Sequence, residues 1–196
     1  LDGLFGLRRL TVAGEAAFGL STALAFRMPT AELGGRTEIS IGGADRGDVV
    51  PGLSASRFRD PQDVATAAGK LYVADQGNRR IVGFDPLPES AQPNASILVG
   101  QKFFNSDAYL DIPPGKQITD VSRLAGNSRS LYAVNQKNQL LVWREAPSAK
   151  LSDDEEAYAK NNLDLMVRDF DGYSLTDVAD IFATDDYLYI VDKGYV

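Results

Sequence analysis

The sequence predicts an all-β chain in which one four-stranded antiparallel unit is used about three times. Two periodic landmarks and one local pattern predict it. Leu-Tyr pairs begin at residues 71, 131 and 188, spacings of 60 and 57, and Asp-Val pairs begin at 63, 120 and 177, spacings of 57 and 57. Self-similarity at a fixed period of tens of residues marks repeat architectures. Each landmark also lies in a short alternating run bounded by Gly, Asp, Asn or Ser, as strands between tight turns do.

The units share an order. A short apolar strand opens each one: residues 39–43 (ISIGG), 96–100 (SILVG) and 163–167 (LDLMV). A polar loop, the Asp-Val strand, a turn (AAGK, AGNSRS or ATDD) and the Leu-Tyr strand follow. A closing strand, RRIVGF at 79–84 or QLLVW at 139–143, completes the first two. Strand side chains alternate, so Leu71 and Val73 should face one side and Tyr72 and Ala74 the other. In the turn that follows, the Asp75 carboxylate can accept backbone N–H groups while Gly77 supplies a positive φ. The second unit has Lys137 in place of that glycine, so Asn135 or Asn138 should take the left-handed conformation there. The aromatic residues Tyr72, Phe84, Tyr132, Trp143 and Tyr189 recur at equivalent strand positions, which reads as packing between units.

Two segments stand outside the repeat. Residues 1–38 form an N-terminal segment that begins with Leu1, so the natural N-terminus is expected to lie upstream. Within it, Arg8 and Arg9 precede an apolar run over 7–26 that ends in Ala23-Leu24-Ala25 and is interrupted by Glu15. That run reads as a buried or partly helical segment or the remnant of a preceding unit, with a signal peptide as the alternative. Residues 39–196 hold the repeated units, the last without its closing strand. Ser152, with Glu155 three residues on, forms a capping box, and the acidic residues 153–156 suit a first helical turn, so a short helix is expected between units over 152–160.

Composition narrows the function. The net charge is -7, with Lys and Arg scattered, which argues against a nucleic-acid partner. The chain has no Cys and no His. This excludes Ser-His-Asp and Cys-His nucleophile systems, Cys/His zinc sites and haem ligated by either residue. No cofactor is expected, no run is long and apolar enough for a membrane span, and any catalysis would fall to carboxylates, Lys, Tyr or Ser.

Candidate site residues are few. Arg46-Gly47-Asp48 spells an integrin-type tripeptide in a Gly-rich loop, and Asp75, Asn78, Arg79 and Arg80 could form a ligand-facing rim, although the better reading pairs one arginine with the Asp75 carboxylate and leaves the other solvated. The glycines at 42, 43 and 47 match no phosphate loop, and Asn94-Ala95-Ser96 is a glycosylation acceptor only in a eukaryotic secretory setting. Asp169-Phe170-Asp171-Gly172 has the look of a calcium loop, but Asp180 stands where the twelfth-position Glu would be, so a turn is the better account. No metal site is expected.

Residues 58–65 (FRDPQDVA), 71–81 (LYVADQGNRRI) and 84–86 (FDP) resemble a full NHL repeat, the blade of NHL β-propellers. Residues 96–104 are similar to the Val-Leu-Gly-Gln segment between blades of bacterial NHL-repeat proteins. The resemblance covers roughly residues 39–196, strongest in the first unit and weakest in the third. It implies a partial β-propeller of about three blades, a fragment of a longer ring, with open blade edges available for self-association. It also implies a scaffold that binds a protein, peptide or glycan outside the cytoplasm, and binding is favoured over catalysis because no catalytic site assembles from these residues. The alternatives are a metal-dependent lactonase, a peptidyl-hydroxyglycine lyase, for which the absence of His removes the metal ligands, or a structural spacer in a surface protein.

Overall fold

A computed structural model of the chain describes residues 9–13, 15–20, 25–29, 39–42, 52–106, 118, 120–151 and 161–194. Its architecture follows from alternating strands joined by short turns. β1 (Arg9–Ala13), β2 (Ala16–Leu20), β3 (Ala25–Pro29) and β4 (Ile39–Ile41) form a first sheet. β5 (Pro61–Ala67), β6 (Lys70–Asp75), β7 (Arg80–Phe84) and β8 (Ile97–Val99) form the second. β9 (Val121–Gly126), β10 (Leu131–Asn135), β11 (Leu140–Trp143) and β12 (Leu165–Val167) form the third. A two-residue hairpin, β13 (Asp169–Phe170) with β14 (Tyr173–Ser174), precedes a fourth sheet of β15 (Val178–Ala183) and β16 (Leu188–Asp192). Every pairing is antiparallel and joins neighbours in the chain. The described residues contain no α-helix, and the helix expected over 152–160 lies outside them.

The alternation holds where it was expected. Leu71 and Val73 pack into the core between the first and second sheets, with Phe18, Leu20 and Phe84. Tyr72 and Ala74 pack into the core between the second and third, with Leu131 and Trp143. A third core, around Val134, Leu140 and Ile181, joins the third sheet to the fourth. Fully burying such side chains contributes about 1.5–3 kcal/mol each, so the cores between sheets, more than the hairpins, hold the stack together. The result is an all-β, β-propeller-like succession of meander sheets.

Three features differ from the sequence expectation. First, the apolar strands expected to open each unit instead close the preceding sheet, as β4, β8 and β12. They are short and apolar enough to serve either end, and pairing decides: Ile97–Val99 lies beside β7, not β5. Second, the apolar run over 7–26, read as a buried or partly helical segment, the remnant of a preceding unit or a signal peptide, is strand where it is described and contains β1, β2 and the start of β3. Alternating Ala16, Phe18 and Leu20 pack on the second sheet, and the β3–β4 pairing spans the expected boundary at 38/39. Third, the Asp-Val pairs do not share a register. Val121 and Val178 lie opposite Asn135 and Asp192, where the second sheet places Pro61 opposite Asp75. Val64 lies three residues further along, past the local register shift, opposite Val73. The Leu-Tyr spacing is the structural one.

The turns are legible in part. Ala68-Gly69 (φ 48° and 72°) and Asp171-Gly172 (φ 46° and 85°) are two-residue hairpin turns with both residues left-handed, the arrangement whose twist matches paired strands. Asn138 (φ 56°) is left-handed, as expected where Lys137 replaces glycine. Gly77 is not left-handed, however; Arg79 (φ 54°) is. Gly77 is needed for space, because a Cβ there would lie 2.5 Å from the Arg59 carbonyl oxygen, to which its own N–H donates at 2.9 Å.

Gly126 in β9 meets the same constraint from the neighbouring sheet. A Cβ there would stand 2.4 Å from the Thr66 carbonyl oxygen and 2.5 Å from the Ala67 Cβ. Gly126→Ala is therefore expected to destabilise the protein by about 1–3 kcal/mol, read as a lower urea midpoint at unchanged slope.

Candidate functional site

The first strands of the four sheets, β1, β5, β9 and β15, run beside one another and line a cavity of about 460 Å³. Their registers can be compared directly. Phe18, Tyr72, Tyr132 and Tyr189 on the second strands lie opposite Thr11, Ala65, Ala125 and Phe182. Two residues back along each first strand stand Arg9, Asp63, Arg123 and Asp180. One level of the channel is thus a layer of alternating charge, one residue from each sheet.

Asp63 is its centre. Its Oδ1 accepts from Arg9 Nε at 2.7 Å and from the Val64 N–H at 2.7 Å, and its Oδ2 accepts from the Leu124 N–H at 2.8 Å. Arg9 also donates to both oxygens of Asp180, at 2.7 and 2.5 Å. Arg123 donates from Nε to the Ala179 carbonyl at 2.6 Å and from Nη1 to the Ser122 carbonyl at 2.7 Å. Above this layer, the Thr11 and Thr66 hydroxyls lie 3.3 Å apart, and Thr66 reaches the Val12 carbonyl at 3.2 Å.

Burial decides what these charges do. The Asp63 side chain is fully buried, while Asp180 is 44% exposed and Arg9 28%. Burial pushes Asp63 up, against the hydrogen bond and charge of Arg9 and two backbone N–H groups. Burial acts the same way on Asp180, but Arg9 outweighs it and holds that carboxyl below its ordinary value. Burial would lower Arg9, yet hydrogen bonds to Asp180 and Asp63 hold it above its usual range, so it stays charged. Arg9 pairs with both carboxylates while Arg123 is held by backbone carbonyls, so the layer acts as a polar brace between the sheets. Among the described residues, no group of three acidic side chains could hold a metal ion.

The residues expected from sequence lie elsewhere. Arg46 and Asp48 fall outside the described residues. Asp75, Asn78 and Arg80 are buried and bound to one another: Asp75 Oδ2 accepts from Arg80 Nε at 2.7 Å and from Asn78 Nδ2 at 2.8 Å, and Oδ1 accepts from the Arg59 N–H at 2.7 Å. Arg80 further donates to the carbonyls of Phe104, Ser54 and Arg57. These three hold the turn to the preceding loop and have almost no surface to offer a ligand. Arg79 closes the 3-10 turn Gln76–Asn78, and its carbonyl accepts from Gln101 Nε2 at 3.5 Å. Asp169–Ser174 is a hairpin whose Asp169 carboxylate accepts from the Ser174 hydroxyl. Asn94 is exposed.

Sequence reasoning missed the charged layer. A usable signal was present: Asp63, Arg123 and Asp180 repeat the 60 and 57 spacings of the Leu-Tyr pairs. The change of sign hides it, because self-similarity searches look for like residues.

No protein-family model matches the chain, and no curated protein does. Solved structures with a similar arrangement include human WBSCR16, at 14% identity and a TM-score of 0.48, matched over 96% of this chain and 45% of that one. Another is PorZ, a surface component of the type-IX secretion system of Porphyromonas gingivalis, at 15% identity and a TM-score of 0.38, over 94% of this chain and 23% of that one. The chain thus spans less than half the length of either.

Two outcomes follow from this geometry. Arg80→Ala leaves the Asp75 carboxylate buried without its cation and is expected to cost about 3–5 kcal/mol in urea unfolding. Asp180→Asn removes a carboxyl whose folded value is depressed, so wild-type stability relative to the variant is present above the ordinary carboxyl value of about 3.9 and lost as pH falls further. Urea midpoints of both proteins should therefore differ at pH 6 and converge toward about pH 2.

Proposed function

We propose that this chain is part of an NHL-type β-propeller that acts as a binding platform for a protein, peptide or glycan outside the cytoplasm. One observation supports the reading above others. In the second, third and fourth sheets the turn after the second strand is tied to the loop before the first strand by a backbone bond: Gly77 N–H to Arg59 O, Gln136 N–H to Asp120 O and Lys193 N–H to Asp177 O. An acceptor side chain reinforces two of the ties, Asp75 receiving the Arg59 N–H and Asp192 the Asp177 N–H, while Asn135 receives the Lys137 and Gln139 N–H groups within its own turn.

The repeated tie forms a rim of short, pre-shaped loops on which Arg59, Lys137 and Lys193 are exposed. Function in repetitive scaffolds resides in such loops, and a loop already held in shape loses less entropy on binding. Exposed Asp60 and Asp177 stand beside Arg59 and Lys193, so the rim offers a partner mixed charge.

Peptide and glycan arrays followed by titration calorimetry test this. A saturable ligand is expected, and the combined change Arg59→Glu, Lys137→Glu and Lys193→Glu should weaken it about tenfold or more while leaving the melting temperature within a few degrees. A ligand whose affinity ignores those three changes would place binding away from the rim, and the absence of any saturable ligand would leave the spacer reading in its place.

A further inference from the structure

An Asn or Asp side chain can be attacked by the peptide nitrogen of the residue that follows it, which closes a succinimide ring. A small following residue leaves that nitrogen accessible, whereas an N–H engaged in a hydrogen bond is held away from the attack. Among the described residues, Asn94-Ala95, Asn105-Ser106, Asn127-Ser128 and Asp171-Gly172 have Gly, Ala or Ser in second place. The three asparagine pairs are held. The Ala95 N–H donates to the Ala55 carbonyl at 2.8 Å, the Ser106 N–H to the Phe103 carbonyl at 3.1 Å and the Ser128 N–H to the Asp185 carboxylate at 2.9 Å. Asn127 is also fixed at its amide, whose oxygen accepts from the Arg129 and Ser130 N–H groups.

Asp171-Gly172 is the exception. Both residues are exposed, and among the described residues neither the Asp171 carboxylate nor the Gly172 N–H has a hydrogen-bond partner. A Cβ on Gly172 would meet nothing within 4 Å, so the turn stands clear of the rest of the chain. Its exposure belongs to its own place in the fold: it is the tip of the β13–β14 hairpin, and Phe170 and Leu175 on either side pack into the core shared by the third and fourth sheets. The hairpin has two residue pairs, Asp169 with Ser174 and Phe170 with Tyr173, so its tip opens at little cost.

We propose that Asp171 is a site of spontaneous isoaspartate formation. The Gly172 nitrogen attacks Cγ of the protonated Asp171 carboxyl, a C–N bond forms, and the carboxyl hydroxyl leaves with the amide proton as water. Water then adds to one of the two ring carbonyls. Cleavage of the original peptide C–N bond leaves the chain running through Cβ and Cγ, and the former backbone carbonyl carbon becomes a free carboxylate. Atoms balance over the two steps, and no oxidant or other co-reactant is needed. The product adds a carbon to the backbone of a turn whose geometry fits two residues, so the hairpin between β12 and β15 comes apart. The new carboxylate makes this turn a substrate for a carboxyl methyltransferase specific for isoaspartate.

Incubation of the folded protein for several weeks at physiological temperature and mildly acidic pH tests this, with such a methyltransferase as the probe and peptide mapping by mass spectrometry. The expected result is methyl acceptance that rises with time at the peptide carrying Asp171-Gly172, while Asn94, Asn105 and Asn127 stay unchanged. Asp171→Glu, whose longer side chain closes its ring far more slowly, should lower acceptance at that peptide about tenfold or more. Asp171→Asn, with ammonia as a better leaving group, should raise it. A folded protein that stays unmodified at Asp171 while a synthetic peptide of residues 168–175 converts overturns the proposal, because the turn would then be protected. So does conversion of Asn94, Asn105 or Asn127 at the same rate, because hydrogen bonding would then not select the site.

Discussion

Asp63 is the constraint on which the arrangement of the four sheets turns. A carboxylate with no exposed side-chain surface must have its oxygens bound, and Asp63 meets that demand with partners from three sheets: the Arg9 guanidinium, its own strand at Val64, and the Leu124 N–H. Arg9 then carries the tie across the channel to Asp180 in the fourth sheet. Apolar packing between sheets stabilises by area and tolerates small slides, whereas a bifurcated set of charge-assisted bonds accepts one register only. The charged layer therefore sets the relative height of the sheets, while the three apolar cores supply most of the stabilisation.

A second device works within the second, third and fourth sheets. The last residue of the second strand is Asp75, Asn135 or Asp192, and in each case a side-chain oxygen gathers backbone N–H groups from the loops beside it. The chemistry differs around this shared role. Asp75 is buried with Arg80 as its counter-charge, Asn135 is neutral and needs none, and Asp192 stays beside solvent. Burial pushes the Asp75 carboxyl up, whereas Asp192, bound first by the N–H groups of Gly194 and Thr176, lies below its ordinary value. The buried version commits the protein to a pair that is costly to break.

These two devices together hold the rim loops in shape and the sheets in register. The ties run around the channel and across the rim.

The sequence by itself determined the repeated strand-turn grammar, the Leu-Tyr register and which side chains of β6 share a face, because strand alternation and turn chemistry are local and leave their mark every second residue or at each Gly and Asn. It narrowed the left-handed residue of the second turn to Asn135 or Asn138, and the structure selects Asn138. Only the tertiary structure decided where each sheet begins. ISIGG, SILVG and LDLMV suit either edge of a sheet, and the choice depends on pairing across chain segments. It also converted Asp75, Asn78 and Arg80 from an apparent rim into a buried brace, because burial is a property of what packs above a residue and not of the residue. The layer of Arg9, Asp63, Arg123 and Asp180 was hidden for a related reason: opposite charges that occupy one level in space share no letter in sequence, and only the converging strands bring them together.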